Sequence, residues 1–379
     1  MSDLPVVRAL AQRGELRGEA LAALIEAGPA PLVEPGSCTF FYRGVAESVR
    51  LQHFGVGLPP DTSFTRVEGT ELWYLVLDLA RGTRLEYKLE VTEAGATGAQ
   101  LIEDPLNPLT ARNPFGANSV CLAAGYEEPA WATFDPAAPE GVLKSHALWS
   151  EAFGRPAGTT LYLPAGFDPA GDVRYPLLVV HDGGDYLQYA DLKVILDNLI
   201  HRGLSGELVV AFSHPGERLA EYADDPRHAR FLTEELLPGL EAELPLVAAP
   251  HGRALMGASF GAVAALSVAH RYPGTYGRLL LQSGSFARSD GHCATREGSL
   301  WQPVIEFVDR FVAAPVAASE RVYACCGVYE TLICENRALL PTLTSTGMDV
   351  WMVEALDGHN WVSWRDRLGE ALRWLFPTG

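Results

Sequence analysis

The chain has 379 residues, 48% hydrophobic and 20% charged. That balance excludes a disordered, fibrous or collagen-like protein and gives enough length for two domains. Lys and Arg number 29 against 47 Asp and Glu, a formal net charge of −18; a surface of that sign repels phosphate backbones and anionic headgroups, so neither nucleic acid nor membrane is an expected partner.

The opening residues, MSDLPVVRALAQRGELRGEALAAL, carry charges every few positions and offer no uninterrupted apolar core of a secretory signal. A cytoplasmic location is therefore expected. Leu4 to Ala27 has apolar residues at helical spacing and ends in Gly-Pro-Ala-Pro, predicting one or two short helices. From Cys38 to Tyr126 the pattern becomes short apolar and aromatic runs, CTFFYRG, SVRLQHFG, LWYLVLDL and RLEYKLEV, separated by Gly, Pro, Asp and Thr. These read as antiparallel strands of a small β-sandwich. In LWYLV, alternation places Trp73 and Leu75 on one face and Tyr74 and Val76 on the other. Pro129 to Pro139 reads as a Pro/Ala-rich linker, with the boundary near Pro136 and domains of residues 1–135 and 136–379.

Beyond the linker, strands alternate with amphipathic helices. Strands are predicted at Thr159–Leu163, Leu177–His181, Leu208–Phe212, Ala254–Met256, Arg278–Gln282, Arg321–Cys325 and Val350–Glu354. Helices are predicted at Ala190–His201, Arg227–Glu243, Gly261–Arg271, Pro303–Val312 and Trp361–Leu375. This alternation predicts an α/β domain with a mostly parallel sheet covered by helices on both faces, its ligand site at the carboxyl ends of the strands. The uncharged stretch Ala254–Val268 is shorter than the ~20 residues of a membrane helix. The six cysteines, Cys38, Cys121, Cys293, Cys325, Cys326 and Cys334, form no CxxC pair and no zinc spacing. Reduced buried thiols, and neither metal nor cofactor, are expected.

Gly257-Ala258-Ser259-Phe260-Gly261 is a G-x-S-x-G match between the short strand RALM and an Ala-rich helix. The bare pattern is a modest signal, and Ser259 could be a helix N-cap and nothing more. Its place at a strand-to-helix turn makes it the candidate nucleophile, because that turn exposes the hydroxyl and tolerates only small neighbours. A serine hydroxyl needs a base, and the chain order of such enzymes puts it late. His359, in a Gly-containing loop after the last strand, fits that place. The acid belongs on the loop after RVYACC, where Glu330 lies; Glu335, inside the following helical pattern, is the alternative. Oxyanion donors are expected from the N–H of Phe260 and from the loop His181-Asp182-Gly183-Gly184-Asp185, Gly184 first and Gly183 next.

With these motifs in hand, the C-terminal part resembles the putative-esterase branch of the α/β-hydrolases, and nearly the whole chain is similar to the enterochelin (ferric enterobactin) esterases. The matching pieces, in order, are GTELWYLVLDL, RLEYKLEV, the DPLNP at Asp104–Pro108, LLVVHDGGDY, ERLAEY, FLTEELLP, GASFG, LLLQSGSF, GVYETLICENRAL and DGHNWVSWRDRL. The resemblance implies Ser259 as nucleophile, His359 as base and Glu330 as acid. It further implies an N-terminal domain like the accessory modules of glycogen-branching enzymes and isoamylases, and an acyl-enzyme route on a catecholate siderophore trilactone. Arg218, Trp301 and Trp361 are candidate cation and aromatic contacts for that substrate. The alternative substrates are feruloyl, acetyl-sugar or other small carboxylic esters; a glycan-binding protein with an idle hydrolase domain is the reading from another class. Two departures stand out: Asn360 follows the histidine where the family usually has Asp, and EYADDP at Glu221–Pro226 is acidic for a site that would meet a triply anionic ferric catecholate.

Overall fold

The structure, a computed structural model, describes residues 4–53 and 55–377. The outermost ends of the two expected domains, 1–3 and 378–379, lie outside the described residues. The chain divides into two compact units. The first is Met1–Glu128 with Val328–Glu330 and Leu356–Asn360; the second is Pro129–Gly327, Thr331–Ala355 and Trp361–Gly379.

In the first unit, helices α1 (Val6–Gln12) and α2 (Gly18–Glu26) precede nine strands among the described residues. These are β1 (Leu32–Glu34), β2 (Ser37–Arg43), β3 (Ser48–Gln52), β4 (Thr65–Arg66), β5 (Leu72–Asp78), β6 (Arg84–Thr92), β7 (Gln100–Ile102), β8 (Thr110–Asn113) and β9 (Gly116–Leu122). They form two antiparallel sheets, β1-β2-β5-β4 and β3-β6-β9-β8 with β7 on β6. Phe40, Trp73, Leu77, Tyr87 and Leu89 fill the core between them. The other face of β2 and β5 is covered by Val7 and Leu21 from the two helices, packed with Phe41, Tyr74 and Val76. Strand β2 is accordingly buried on both faces, and the alternation read in LWYLV holds: Trp73 and Leu75 face the sandwich core, Tyr74 and Val76 the helices. The DPLNP segment is a structural hub. Asp104 accepts the Tyr87 hydroxyl at 2.7 Å, and Asn107 donates to the carbonyl of Val120 at 2.8 Å. Both side chains are buried, where unmet polar groups would be costly.

In the second unit, β10 (Val142–Ser150), β11 (Arg155–Leu163), β12 (Leu177–Val180), β13 (Val209–Ser213), β14 (Arg253–Ala258), β15 (Arg278–Gln282), β16 (Arg321–Gly327) and β17 (Asp349–Ala355) build one eight-stranded sheet. Its order is β10-β11-β13-β12-β14-β15-β16-β17. From β13 to β17 every pairing is parallel, and β10 and β11 add an antiparallel edge. Helices α3 (Gly183–Tyr189), α4 (Leu192–His201), α5 (Arg218–Tyr222), α6 (Pro226–Arg230), α7 (Leu237–Glu243), α8 (Phe260–Arg271), α9 (Gln302–Ala313), α10 (Ile333–Ser345), α11 (Trp361–Arg365) and α12 (Leu368–Leu375) surround it. Alternate residues of β12 enter opposite cores: Leu177 and Val179 join α8 and α9, and Leu178 and Val180 join α4 and α12. The expected mostly parallel sheet with helices on both faces is thus present.

Several expectations are corrected. The units part between Glu128 and Pro129 and not near Pro136, because residues after 128 are bound into the second unit. Asn198 Nδ2 donates to the carbonyls of Trp131 and Thr133, both at 2.8 Å, and the Trp131 indole lies against Gly369. The helix read across Arg227–Glu243 runs without interruption but carries a π-helical stretch, Phe231–Leu236, whereas Trp361–Leu375 is two helices. Edge strand β10 was not foreseen: at an edge its side chains are mostly exposed, and its pattern lacks the apolar run of a buried strand. The six cysteines are not all reduced. Cys293 and Cys334 form a disulfide across a sequence separation of 41, while Cys38, Cys121, Cys325 and Cys326 are buried thiols. The first turn of α10 brings Cys334 to the 293 loop, an approach that spacing alone does not reveal. Among the described residues no helix is long and apolar enough to cross a membrane.

Candidate active site

Strand β14 ends at Ala258 and α8 begins at Phe260, so Ser259 turns the chain with φ 58° and ψ −121°. A non-glycine residue held there stores on the order of 1–3 kcal/mol of strain, retained only where the surroundings fix it. The two glycines make the turn possible. A Cβ on Gly257 would lie 2.3 Å from the carbonyl oxygen of Gly261, and one on Gly261 would lie 3.3 Å from the Cβ of His181. Ser259 N donates to the Gln282 carbonyl at 2.9 Å, and its hydroxyl lies 3.2 Å from that of Ser285. Gln282 is itself pinned by Tyr186 Oη and by the carbonyl of Trp364. The LQSGSF segment therefore holds the turn from β15 and sets Ser285 beside the candidate nucleophile, a neighbour that sequence spacing does not reveal.

The glycine pair after β12 differs from its expected form. It is no loop: Asp182, at φ 55°, caps α3, which starts at Gly183. A Cβ on Gly183 would strike the backbone of Phe212 at 2.5 Å, so that glycine is required by packing, whereas the nearest atom to a Cβ on Gly184 is His214 Nδ1 at 3.5 Å. Strands β12 and β14 are parallel neighbours, which sets the start of α3 beside the start of α8. The amides of Phe260 and Gly184 lie in the first turns of these helices, where N–H groups have no partner within the helix and the dipole favours negative charge.

In the first unit, Glu330 follows β16 and His359 follows β17. Glu330 Oε2 lies 2.6 Å from His359 Nδ1, with the glutamate side chain 1% and the histidine 33% exposed. A carboxylate on Nδ1 takes that proton as its donor and leaves Nε2 as the basic nitrogen. An open-sided cleft of about 360 Å³ adjoins the histidine, lined by His53, Glu86, Asn118, Tyr329 and Asn360. Two of the lining residues share one buried cation: Arg84 donates to Asn360 Oδ1 at 3.0 Å and to Glu86 at 2.9 Å, and lies 3.5 Å from Asp357. Burial pushes Asp357 up to about 6 against the pull of Arg84. Asn360 thus replaces the family's usual Asp with a residue that accepts from Arg84 and donates to Asp357. Nothing in the sequence marked Arg84.

Arg218 is locked in a bidentate pair with Asp182 at 2.7 and 2.6 Å, so its charge is spent on the α3 cap. Trp301 packs on Phe260 at 5.0 Å between ring centres, with Arg296 4.8 Å above it. Trp361 packs edge-on against Tyr186 and Trp364. Glu335 is buried in α10 and paired with Arg296 at 3.3 Å. The EYADDP acids are neutralised internally: Glu221 binds Arg155, Asp224 binds Arg271 and Arg310, and Asp225 binds Arg227. Among the described residues the one grouping of metal-ligating types, His292, Cys293 and Cys334, has both sulfurs in the disulfide.

Comparison with known proteins agrees with this architecture. The chain is 25% identical to the iron(III) enterobactin esterase of Escherichia coli O6:H1 over 337 residues, 82% of this chain and 80% of that protein. Its fold matches the ferric enterobactin esterase of Salmonella typhimurium with a TM-score of 0.74 and 23% identity, covering 94% of this chain and 98% of that one. It matches the Shigella flexneri enterobactin esterase crystallised in the presence of enterobactin with a TM-score of 0.70 and 24% identity, covering 89% and 92%. The family described as "Putative esterase" matches residues 150–375. With that match spanning more than half its length and the enterochelin-esterase resemblance running across most of the rest, the chain belongs to this esterase family.

Proposed function

We propose that the protein is a serine carboxylic-ester hydrolase in which Ser259, His359 and Glu330 form the catalytic triad. His359 Nε2 takes the Ser259 proton as Oγ attacks the ester carbonyl, and Glu330 holds the Nδ1 proton and stabilises the imidazolium. The N–H groups of Phe260 and Gly184 receive the oxyanion. The alcohol leaves with the proton from His359, and a water molecule, deprotonated by the same nitrogen, releases the acid and restores Ser259. The observation that carries this reading is the strained turn at Ser259 between β14 and α8. The 2.6 Å Glu330–His359 pair and the order Ser259, Glu330, His359 after β14, β16 and β17 of a parallel sheet support it.

The substrate in this reading is a catecholate siderophore trilactone met in the cytoplasm. Similarity to iron(III) enterobactin esterase over 82% of the chain supports it, and the internal pairing of the EYADDP carboxylates removes the charge objection the sequence raised. The decisive assay is time-resolved mass spectrometry of products from ferric and iron-free enterobactin beside a feruloyl ester and an acetylated sugar. Preferential trilactone opening is expected; a preference for the simple esters overturns the substrate assignment. In Ser259→Ala, kcat should fall by about 10⁴–10⁶ with the fold intact, and retained activity would sink the serine mechanism.

A further inference from the structure

The loops that carry the candidate acid and base are fastened to strands of the β-sandwich, within one compact unit. Arg84 opens β6. Its backbone N–H donates to the Leu356 carbonyl at 2.9 Å, and its guanidinium Nη1 reaches both Asn360, immediately after His359, and Asp357. Asp357 Oδ1 accepts from Gly358 N and from Asn360 Nδ2, each at 2.7 Å, which closes the loop around the histidine. The same fastening extends to the acid. Tyr329, immediately before Glu330, donates its N–H to the Asp357 carbonyl at 3.1 Å, its carbonyl accepts from Val56 N at 2.9 Å, and its hydroxyl lies 3.1 Å from Thr83 Oγ1. Arg84 is 4% exposed and its charge is held by Glu86 and Asp357 against burial. A buried cation that opens a strand and is held by Glu86 of the same strand is a rigid reference point; a loop closed on itself by one carboxylate is not.

We infer that Arg84 is a positioning residue: it sets the loop that presents His359 and, through Asp357 and Tyr329, the position of Glu330. The β-sandwich thereby contributes to the rate itself, besides anything it adds to binding. This rests on the triad reading above. It predicts that disturbing Arg84 lowers kcat and leaves KM nearly unchanged, because a misaimed base weakens the transition state without weakening substrate binding.

The test compares Arg84→Met, Arg84→Lys and Asn360→Ala in the full chain, with two readouts. One is kcat and KM on p-nitrophenyl butyrate. The other is the downfield proton NMR resonance of the His359 Nδ1–H, assigned by its loss in His359→Ala, which reports the Glu330 pair without any turnover. Expected for Arg84→Met is a kcat loss of about 10–100-fold, KM within about twofold, and a shifted or exchange-broadened resonance, with Arg84→Lys recovering part of both. Asn360→Ala, which removes the nearer of the loop's two side-chain acceptors for Arg84, should reproduce the defect and provides the same readouts where Arg84→Met does not fold. An unaltered resonance in whichever variant folds overturns the inference, whatever happens to kcat. A displaced resonance with unchanged kcat upholds the positioning and overturns the triad reading instead, so the two failures are distinguishable.

Discussion

Asp182 and Arg218 form a bidentate ion pair that clamps the start of α3, with the Asp182 backbone in the left-handed region and its N–H donated to the Tyr222 hydroxyl. The sequence offered Arg218 as a cation for an anionic substrate; the structure has it holding the turn beside which the candidate oxyanion donor Gly184 lies. Arg218→Ala should therefore lower kcat by about tenfold or more on neutral and anionic esters alike. Because Asp182 is left buried without its partner and Arg218 is about a third exposed, the stability cost should be roughly 2–3 kcal/mol. Steady-state kinetics on a charge-matched ester pair checks this; a KM rise confined to the anionic ester would restore the substrate-contact role.

The glycines give a contrast. Gly257→Ala places a methyl 2.3 Å from a backbone oxygen that cannot move without unwinding α8, so folded yield or melting temperature should drop sharply. Gly239→Ala, in α7 with no atom within 4 Å of the new Cβ, should be neutral or stabilising by up to about 1 kcal/mol. Thermal denaturation of both variants decides it, and a tolerated Gly257→Ala would contradict the tight turn.

Two glutamates near one sequence motif should behave differently. Glu330→Gln replaces the carboxylate facing His359 Nδ1 with a neutral amide, which takes away the charge that would stabilise the imidazolium, and should cost roughly 10²–10⁴ in kcat. Glu335→Gln weakens a buried pair with Arg296 and should appear mainly as lost stability. The reverse ranking in kinetics would move the acid to Glu335.

Acid stability has a definite sign. His181 Nδ1 faces the carbonyl of Met256 at 2.8 Å and must donate there, so its Nε2 accepts from His228 Nε2–H at 3.0 Å. Both rings are buried and neutral: burial lowers His181 to about 4 and His228 well below its ordinary value. A histidine with a depressed folded value contributes stability fully above about pH 6.5 and loses it as pH falls toward about 4, at about 1.4 kcal/mol per pH unit each. Asp357, raised to about 6, works in the opposite sense below that pH. Urea unfolding between pH 7 and pH 5 should show net loss on acidification, and His228→Phe should flatten the slope. An unchanged slope in that variant would exclude the pair as its source.

The disulfide closes a segment with a sequence separation of 41, for which loop-closure entropy gives about 4 kcal/mol. Reductant should lower the melting temperature, and Cys293→Ser should match the reduced protein and no longer respond. A melting temperature insensitive to reductant would show that the bond adds no stability.

How much of this was legible beforehand follows from the range of each interaction. Period-2 alternation in LWYLV and continuous apolar runs such as LLVV are local, so the sandwich face assignments and the parallel sheet were readable from the residues themselves. The Ser259 turn was equally local, since small residues at two fixed offsets are what that backbone demands. Glu330 and His359 could be named because strand ends order the chain, but their 2.6 Å separation belongs to folding. Arg84, Ser285, the Asp182–Arg218 clamp, the Cys293–Cys334 bond and the boundary at Glu128 lay beyond the sequence. Each joins residues distant in sequence, or distinguishes a buried paired charge from an exposed one, and neither spacing nor composition carries that information. Charge type can be read from one chain position; what neutralises it is decided by which strands the sheet sets side by side.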